Sequence, residues 1–529
     1  MMFLIKMTQV RLTLIVAALL TLTGNFTFLE KTILVYPLSE NWLFVGSLLI
    51  LLFVFLSALL LLLCYRHTIK PILIILLMIS SIVSYSTNNF GIVFDHNMIA
   101  NTFETNTTEL LDLVSFKSFI YLLFFGLLPS YFVWTTTITK APLKTQLWQR
   151  IKAFVIMMFI FVLLTMSFYK PLSSFARENP DLKMYIIPTY YLYSMTKYVG
   201  TKFNTSTTPF SQIGLDAKIN KKENKQRLLV LVLGETARVD RFSLNGYKRQ
   251  TNPLLEKEEV VSFQNMTSCG TDTSWSVPCM FSSLSRSNYS HSKGKNMSNV
   301  LDIVSHSGVE VLWLDNNSDS KGVADRITFE DYRLAGVNPI CDDECRDEGM
   351  LIGLQDFIDT NPEKDMLVVL HTMGSHGPAY YKRYPDSFEV FLPACQTNQL
   401  NECNDEEINN AYDNTIVYTD YVLSKLITVL ENNTKVDESA MFYVSDHGES
   451  LGENGIYLHG MPYLIAPDEQ KRVAAMMWFN EGFSRSLDID SIKEKIEVPL
   501  SHDNLFHTLL GFMNIETEVY QQDMDIIAQ

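Results

Sequence analysis

The chain has 529 residues, which is too long for a single compact domain. Acidic residues outnumber basic residues by 58 to 42, and the resulting net charge of −16 argues against a nucleic-acid partner. Long apolar runs dominate roughly the first 170 residues, whereas the remainder has the mixed polarity of a soluble domain.

Five apolar runs predict membrane-spanning helices, judged against the roughly 20 apolar residues that cross a bilayer. They cover residues 12–29, 43–64, 71–86, 118–139 and 153–169, and the third is short, with Lys70 and Pro71 near its start. A signal peptide would explain the first run but not the others. We therefore predict a transmembrane domain of five helices over residues 1–170.

The charged residues between the spans predict their orientation. Basic residues flank the spans on one side, at Lys6, Arg11, Arg66, Lys70, Lys140, Lys144, Arg150 and Lys152. Loop 87–116, on the other side, has no Lys or Arg and carries Asp95, Glu104, Glu109 and Asp112. The positive-inside rule therefore places the N-terminus inside and the residues after 170 outside. In a bacterial cell this is a multi-pass inner-membrane protein with its second half in the periplasm.

Residues 171–226 are predicted to connect the membrane domain to an exported domain at 227–529. Segment 184–198 is rich in Tyr and Met, so it could lie at the membrane surface or form a packed linker, and Pro188 would interrupt a single helix there. Short apolar runs at 228–233, 311–314, 366–370 and 441–444 then alternate with helical patterns such as 406–432. This alternation predicts an α/β sheet with helices on both faces.

Six of the seven cysteines lie in the exported part and fall in three close pairs. They are Cys269 with Cys279, Cys341 with Cys345, and Cys395 with Cys403. An even number of cysteines in an oxidising compartment favours disulfides, and the short intervening loops favour sequential pairing. A zinc cluster is the weaker alternative, because no CxxC occurs.

Two predicted strands end directly in residues that commonly bind metals. Run 228–233 is followed by Glu235, and run 441–444 is followed by Asp446 and His447. Side chains just beyond the carboxyl ends of strands form the sites of open α/β sheets. Two carboxylates and an imidazole are a three-ligand set for Zn²⁺ that leaves a fourth position open. The alternative is that Glu235 caps a helix and Asp446-His447 is an ordinary polar turn.

Segment 268–281 (SCGTDTSWSVPCMF) offers hydroxyl groups between two cysteines, at Thr271, Thr273, Ser274 and Ser276. A hydroxyl is a weak nucleophile at neutral pH, but coordination to a metal lowers its pKa. A disulfide across the segment would hold such a nucleophile near the metal. The alternative is a surface loop that the disulfide only stabilises.

Further polar residues follow other predicted strands. His371 and His376 come after run 366–370, Asp315–Lys321 follows run 311–314, and His459 lies in a later turn. The Asp315–Lys321 segment could present a cation and amides to an anionic substrate, or it could be a solvated turn. A metal, a hydroxyl and histidines suit phosphoryl transfer through a covalent intermediate. The Cys-x-Pro-x-Arg or Ser-x-Pro-x-Arg signature of sulfatase-type hydrolases is absent.

Six motifs in order resemble those of the phosphoethanolamine–lipid A transferase family, which includes the mobile colistin-resistance enzymes. They are GETARVDRFSLNGY at 234–247, SCGTDTSWSVPCMF at 268–281, DNNSDSKG at 315–322, HTMGSHGPAYY at 371–381, SDHGESLGENGIYLHGMPY at 445–463 and SHDNLFHTLLG at 501–511. The resemblance covers nearly the whole chain. It implies five transmembrane helices followed by an exported α/β domain with the alkaline-phosphatase/sulfatase fold.

The resemblance also implies roles for individual residues. Zn²⁺ would be bound by Glu235, Thr273, Asp446 and His447, with Thr273 as the nucleophile that becomes modified. The phosphoethanolamine group or a second Zn²⁺ would be bound by Asn317, Lys321, His376 and His459. Of these, the histidines would assist proton transfer, with His459 as a candidate proton donor. Three residues match family positions associated with the substrate lipid, namely Asn101, Thr105 and Glu109.

Asn101, Thr105 and Glu109 recur every four residues, so they would share one face of a helix. Their alternative role is to form the polar surface of an exported loop helix.

The implied reaction transfers phosphoethanolamine from phosphatidylethanolamine to a phosphate of lipid A in two steps. The added ammonium group would lower the negative charge of the outer surface and thereby weaken binding of polymyxins. Three alternatives share some of these features: transfer to a lipopolysaccharide core sugar or periplasmic glucan, transfer of phosphoglycerol, and a non-catalytic membrane protein that only binds lipid or a partner. We expect a monomer that contacts membrane lipids.

Overall fold

The computed structural model describes residues 5–104, 113–203, 209–220 and 225–528. The chain divides into two compact units, Met1–Ile99 with Val114–Lys202 and Ala100–Leu113 with Phe203–Gln529. Thr105 and Glu109 lie outside the described residues. The domain boundaries expected at 170 and 226 stay predictions.

The first unit is helical. Four of its helices are long and apolar enough to cross a membrane: Leu38–Leu63, Ile69–Phe90, Phe116–Thr135 and Leu143–Ser167. Gln9–Gly24 and Phe26–Val35 meet at an angle of 57° and give a fifth span if they cross together. The five predicted spans therefore fall on these helices. Shorter elements are Lys6–Met7 paired in parallel with Thr137–Ile138, and the helices Tyr169–Glu178, Leu182–Tyr185 and Thr189–Phe203. The helix His96–Glu104 begins in this unit, and its residues from Ala100 onward belong to the second.

The tyrosine-rich segment breaks where proline predicts it. Pro188 separates the 3-10 helix Leu182–Tyr185 from the helix Thr189–Phe203. The amide group of Asn25 bonds both backbone groups of Ile187, over 2.9 Å in each direction. These bonds and the buried Tyr185 attach the segment to the N-terminal helices. Its position relative to a membrane surface stays a prediction.

The second unit is built on an eight-stranded sheet. In chain order its strands are β1 Arg227–Gly234, β2 Val261–Thr267, β3 Glu310–Asp315, β4 Thr328–Asp331, β5 Met366–His371, β6 Glu438–Ser445, β7 Arg472–Phe479 and β8 Leu500–Ser501. Their order across the sheet is β8-β2-β7-β6-β1-β5-β3-β4. All neighbouring strands are parallel except β7, which is antiparallel to both β2 and β6.

The central strands are apolar throughout because both of their faces are covered. Every residue from Leu228 to Leu233 is buried, and the same holds for β5. Such continuous apolar runs are typical of parallel strands packed between helices. The helices of this unit are Thr273–Met280, His291–Lys295, Val300–His306, Met350–Thr360, Asp405–Asn432, Glu481–Ser486, Ile489–Lys493 and Leu505–Phe512. The α/β fold and the four predicted strands are therefore confirmed.

The strand register brings the polar strand ends together. Gly234 of β1 pairs with Ser445 of β6, and Leu233 pairs with His371 of β5. His371 in turn pairs with Asp315 of β3. The residues that follow β1, β3, β5 and β6 therefore meet at one edge of the sheet.

Three disulfides join the cysteines of this unit in sequential pairs. They are Cys269–Cys279, Cys341–Cys345 and Cys395–Cys403. The predicted pairing is confirmed, and the zinc-cluster alternative is wrong. The first pair, Cys269–Cys279, encloses Thr273.

Candidate metal centre

Glu235, Asp446 and His447 converge at the polar edge of the sheet. One ligand atom from each lies within 4.8 Å of the others, and all three side chains are buried. Neighbouring parallel strands place them there, because Gly234 at the end of β1 pairs with Ser445 at the end of β6. The residues predicted from two separate strand ends therefore form one cluster.

Thr273 completes the cluster from a different part of the fold. It is the first residue of the helix Thr273–Met280, whose N-cap Asp272 accepts a hydrogen bond from the Trp275 amide. Its Oγ1 donates to Glu235 Oε2 over 3.1 Å and lies 3.2 Å from Nε2 of His447. The hydroxyl that the sequence proposes as nucleophile thus lies directly beside the proposed ligands.

The protonation of His447 tests whether a cation fits this cluster. Its Nδ1 lies 2.9 Å from the carbonyl oxygen of Gly448, which can only accept, so Nδ1 carries the hydrogen. Burial lowers the pKa of His447 and keeps the ring neutral. Its Nε2 lone pair therefore faces Asp446 Oδ2 at 3.3 Å and Glu235 Oε1 at 3.4 Å.

The buried Oδ2 of Asp446 accepts no hydrogen bond from any described residue. The repulsion between these lone pairs is therefore not offset by a hydrogen-bond donor at Asp446. The single hydroxyl hydrogen of Thr273 is used on Glu235. Oδ1 of Asp446 is held separately by the amides of His447 and Thr236. Buried oxygen and nitrogen lone pairs that meet in this way fit a metal cation, and this donor set suits Zn²⁺.

The loop after β3 supports Glu235. Asn317 Nδ2 donates to Glu235 Oε2 over 2.9 Å and to the carbonyl oxygen of Thr372 over 2.8 Å. Lys321 is also largely buried, with a side chain 7 % exposed, and its Nζ donates to the Ser318 carbonyl oxygen. Since Asn317 is fully enclosed, this segment is not the solvated turn that was the alternative.

Two histidines flank the cluster in different electrostatic surroundings. The His459 ring centroid lies 4.5 Å from that of His447 and 5.5 Å from that of His376. Burial alone would lower the pKa of His459, but the charge and hydrogen bond of Glu449, 2.9 Å away, outweigh burial and raise it. Burial lowers the pKa of His376 well below its ordinary value. Two titratable groups with opposite shifts are typical of acid–base assignments in active sites.

Two other residues at this edge, His371 and Asp347, have structural roles. His371 Nδ1 lies 2.9 Å from Asp315 Oδ2, which also accepts from the indole of Trp313. Asp347 accepts hydrogen bonds from the amides of Met373 and Gly374, which shape the loop that carries His376. His371 therefore supports the sheet edge, and sequence reasoning gave Asp347 no role.

His502 is a second residue that sequence reasoning missed. It lies in the quoted motif SHDNLFHTLLG, but it follows the two-residue strand β8, which has no apolar pattern of its own. Its ring bonds the backbone amide of Cys269, at the start of the Thr273 loop, and the carbonyl oxygen of Ser445, next to Asp446. Of the predicted lipid-contacting residues, only Asn101 is described, in the helix His96–Glu104.

Comparison with known proteins supports both halves of the chain. The sulfatase family matches residues 227–515, and the family described as phosphoethanolamine transferase EptA/EptB matches residues 52–203. The Escherichia coli phosphatidylethanolamine transferase Mcr-2 is 40% identical over 513 residues, covering 95% of this chain and 94% of its own. Mcr-1 of the same species is 40% identical over 517 residues, with the same coverage of 95% and 94%.

A solved structure covers both units at once. The integral membrane protein lipooligosaccharide phosphoethanolamine transferase A (EptA) of Neisseria meningitidis is 33% identical, with a TM-score of 0.95 and 99% of each chain covered. Identity above 30% over nearly the full length goes beyond a shared fold and shows a common family. The chain therefore belongs to the phosphoethanolamine transferase family, and it is a transferase with a helical membrane unit and a sulfatase-like α/β unit.

Proposed function

We propose that this enzyme transfers phosphoethanolamine from phosphatidylethanolamine to a phosphate of lipid A, with Thr273 as the covalent carrier. The observation that carries the proposal is the position of Thr273 Oγ1, 3.1 Å from Glu235 Oε2 and 3.2 Å from His447 Nε2. Relatives named phosphatidylethanolamine transferase support the donor. The related lipooligosaccharide transferase supports an acceptor that is a lipid-anchored saccharide.

In the first step Thr273 Oγ1 releases its proton to solvent and attacks the phosphorus of the donor, and the bond from phosphorus to the diacylglycerol oxygen breaks. Zn²⁺ held by Glu235, Thr273, Asp446 and His447 would supply charge neutralisation and lower the pKa of the hydroxyl. His459 is suited to protonate the departing oxygen, since Glu449 raises its pKa. In the second step an acceptor phosphate oxygen attacks the same phosphorus, and the Thr273 oxygen leaves.

Four side chains around the cluster would bind the transferred group or a second Zn²⁺, namely Asn317, Lys321, His376 and His459. Lys321 carries a cationic donor suited to phosphate oxygens. Both amide hydrogens of Asn317 are used on Glu235 and Thr372, so Asn317 would contact the transferred group through its Oδ1 or exchange one of these bonds. In the membrane-proximal segment, Asn101, Thr105 and Glu109 would contact the substrate lipid. We place the catalytic unit in the periplasm, and we expect the modified surface to bind polymyxins less strongly because it is less anionic.

Intact-protein mass spectrometry of the full chain after incubation with phosphatidylethanolamine tests the carrier. We expect a phosphoethanolamine adduct on Thr273 that is absent from Thr273→Ala and is released when lipid A is added. An adduct on Thr273→Ala would refute the assignment of the nucleophile.

The acceptor is tested separately in a polymyxin-susceptible Gram-negative host. Mass spectrometry of lipid A, core sugars and periplasmic glucans should show added phosphoethanolamine on lipid A only with the wild-type enzyme. If the adduct forms on Thr273 while lipid A stays unmodified, Thr273 remains the covalent carrier and the proposal that lipid A is the acceptor is refuted.

A further inference from the structure

The membrane unit contains a cavity that has no part in the reaction described above. The cavity has a volume of about 640 Å³ and is open to its surroundings. On one side it is lined by Arg66 and His67, in the turn between the helices Leu38–Leu63 and Ile69–Phe90, and by Lys70, in the first turn of the second helix. The other wall is the segment 134–138 at the end of the helix Phe116–Thr135.

The charge around this cavity has one sign. Residues 1–29, 41–94 and 113–177 contain no Asp or Glu. The same loops supply the basic residues that predict the cytoplasmic side, among them Lys140 and Lys144. Arg66 and His67 are exposed, and no segment of the surrounding helices offers them a carboxylate. None of the described residues that line the cavity is a carboxylate that would balance these cations.

Two further features distinguish this cavity from ordinary basic loops. Lys70 is held in place, because its Nζ donates to the carbonyl oxygen of Trp134 over 2.6 Å. This carbonyl group lies at the C-terminus of the helix Phe116–Thr135, where the helix dipole also favours a cation. Trp134 itself is 69% exposed at the cavity rim. An indole with one polar edge is the side chain most suited to the boundary between headgroups and acyl chains. Basic loops that served only to set the membrane topology would need neither the fixed Lys70 nor the exposed Trp134.

We propose that this cavity binds the phosphate headgroup of an anionic phospholipid in the cytoplasmic leaflet. Basic pockets between transmembrane helices on the cytoplasmic side are suited to such headgroups. The phosphate would lie between Arg66 and Lys70, and the acyl chains would pass Trp134. Phosphatidylethanolamine carries no net charge, so this ligand differs from the donor, and the site is independent of the transfer reaction.

Native mass spectrometry of the detergent-solubilised full chain tests the proposal. Phosphatidylglycerol and phosphatidylcholine with identical acyl chains are titrated against the wild type and the double variant Arg66→Gln/Lys70→Gln. We expect preferential retention of phosphatidylglycerol by the wild type and a roughly 10- to 30-fold weaker apparent Kd in the variant. Equal retention of the two lipids by the wild type would overturn the proposal.

The matched control is Lys144→Gln/Lys152→Gln, which removes the same charge from a helix that does not line the cavity. We expect this control variant to retain phosphatidylglycerol. An equal loss of phosphatidylglycerol binding in both variants would show that the lipid is attracted by overall charge, and it would refute a specific site. Inorganic phosphate is added as a competitor, and displacement at the same concentration as lipid would refute a lipid ligand. The charge-conserving pair Arg66→Lys/Lys70→Arg should restore binding, which separates lost charge from misfolding.

Discussion

His502 donates a hydrogen bond from Nε2 to the carbonyl oxygen of Ser445 over 3.0 Å, at the residue that directly precedes Asp446. Its other ring nitrogen, Nδ1, accepts from the backbone amide of Cys269 over 3.1 Å. One neutral tautomer satisfies both bonds. The ring thereby holds the start of the Thr273 loop against the turn that carries Asp446 and His447.

This neutral histidine predicts a loss of stability in mild acid. Burial lowers the pKa of His502 to about 4, whereas the unfolded chain would take up the proton near pH 6.5. The contribution is therefore present above pH 6.5 and is lost as the pH falls towards 4, by about 3 kcal/mol in total. In thermal melts of the full chain, Tm of His502→Gln should fall less between pH 7 and pH 5 than Tm of the wild type.

The exposed His306 provides the control for this experiment. His306→Gln should keep the pH dependence of the wild type. The His502→Gln variant should also have a lower Tm at pH 7.5, because two buried backbone groups lose their partner. If its melting curve shifts with pH as steeply as that of the wild type, His502 is not the neutral group described here.

The pair Glu449 and His459 predicts a defect in transfer without loss of the fold. Glu449 Oε2 accepts from His459 Nδ1, and Oε1 accepts from the Tyr380 hydroxyl, each over 2.9 Å. Glu449→Gln keeps the shape but removes the charge that raises the pKa of His459. We expect transfer from a fluorescent phosphatidylethanolamine to fall by roughly 10- to 100-fold, because His459 would be a weaker proton donor to the departing oxygen.

Tyr380→Phe is the matched variant, since it removes only the hydrogen bond on the far oxygen of Glu449. It should lower the rate less than Glu449→Gln does. Equal rates for Glu449→Gln and the wild type would show that the carboxylate charge has no part in the reaction. A normal Tm in both variants would exclude unfolding as the cause of any loss.

The parts of the site that follow long buried strands were predictable from the sequence, and the others were not. Glu235 and the Asp446-His447 pair directly follow apolar runs whose parallel packing brings their ends together, so a local pattern sufficed. Thr273 needed the family resemblance, because many hydroxyls share its loop. His502 follows β8, which is only two residues long, and Asp347 begins a 3-10 helix of three residues, so neither has a pattern that indicates its contacts.

The sheet shows the same limit. Four central strands were predicted from apolar runs, whereas the edge strand β4 has the sequence TFED and is mostly exposed, so it lacks an apolar signal. Strand β7 is buried, but its antiparallel direction between β2 and β6 depends on contacts far apart in the chain. The topology at that side of the sheet therefore required the three-dimensional structure.

The disulfide Cys269–Cys279 predicts a coupled loss of stability and activity, because Thr273 lies inside the loop it closes. The two cysteines are 10 residues apart, so replacing both with Ala should cost about 2–3 kcal/mol. Cys341 and Cys345 are only 4 residues apart and enclose none of the proposed ligands, so replacing them should cost less and leave transfer nearly unchanged. Tm and transfer rate of the two double variants provide the comparison. Equal transfer rates, with the first variant still folded, would show that the disulfide does not position Thr273.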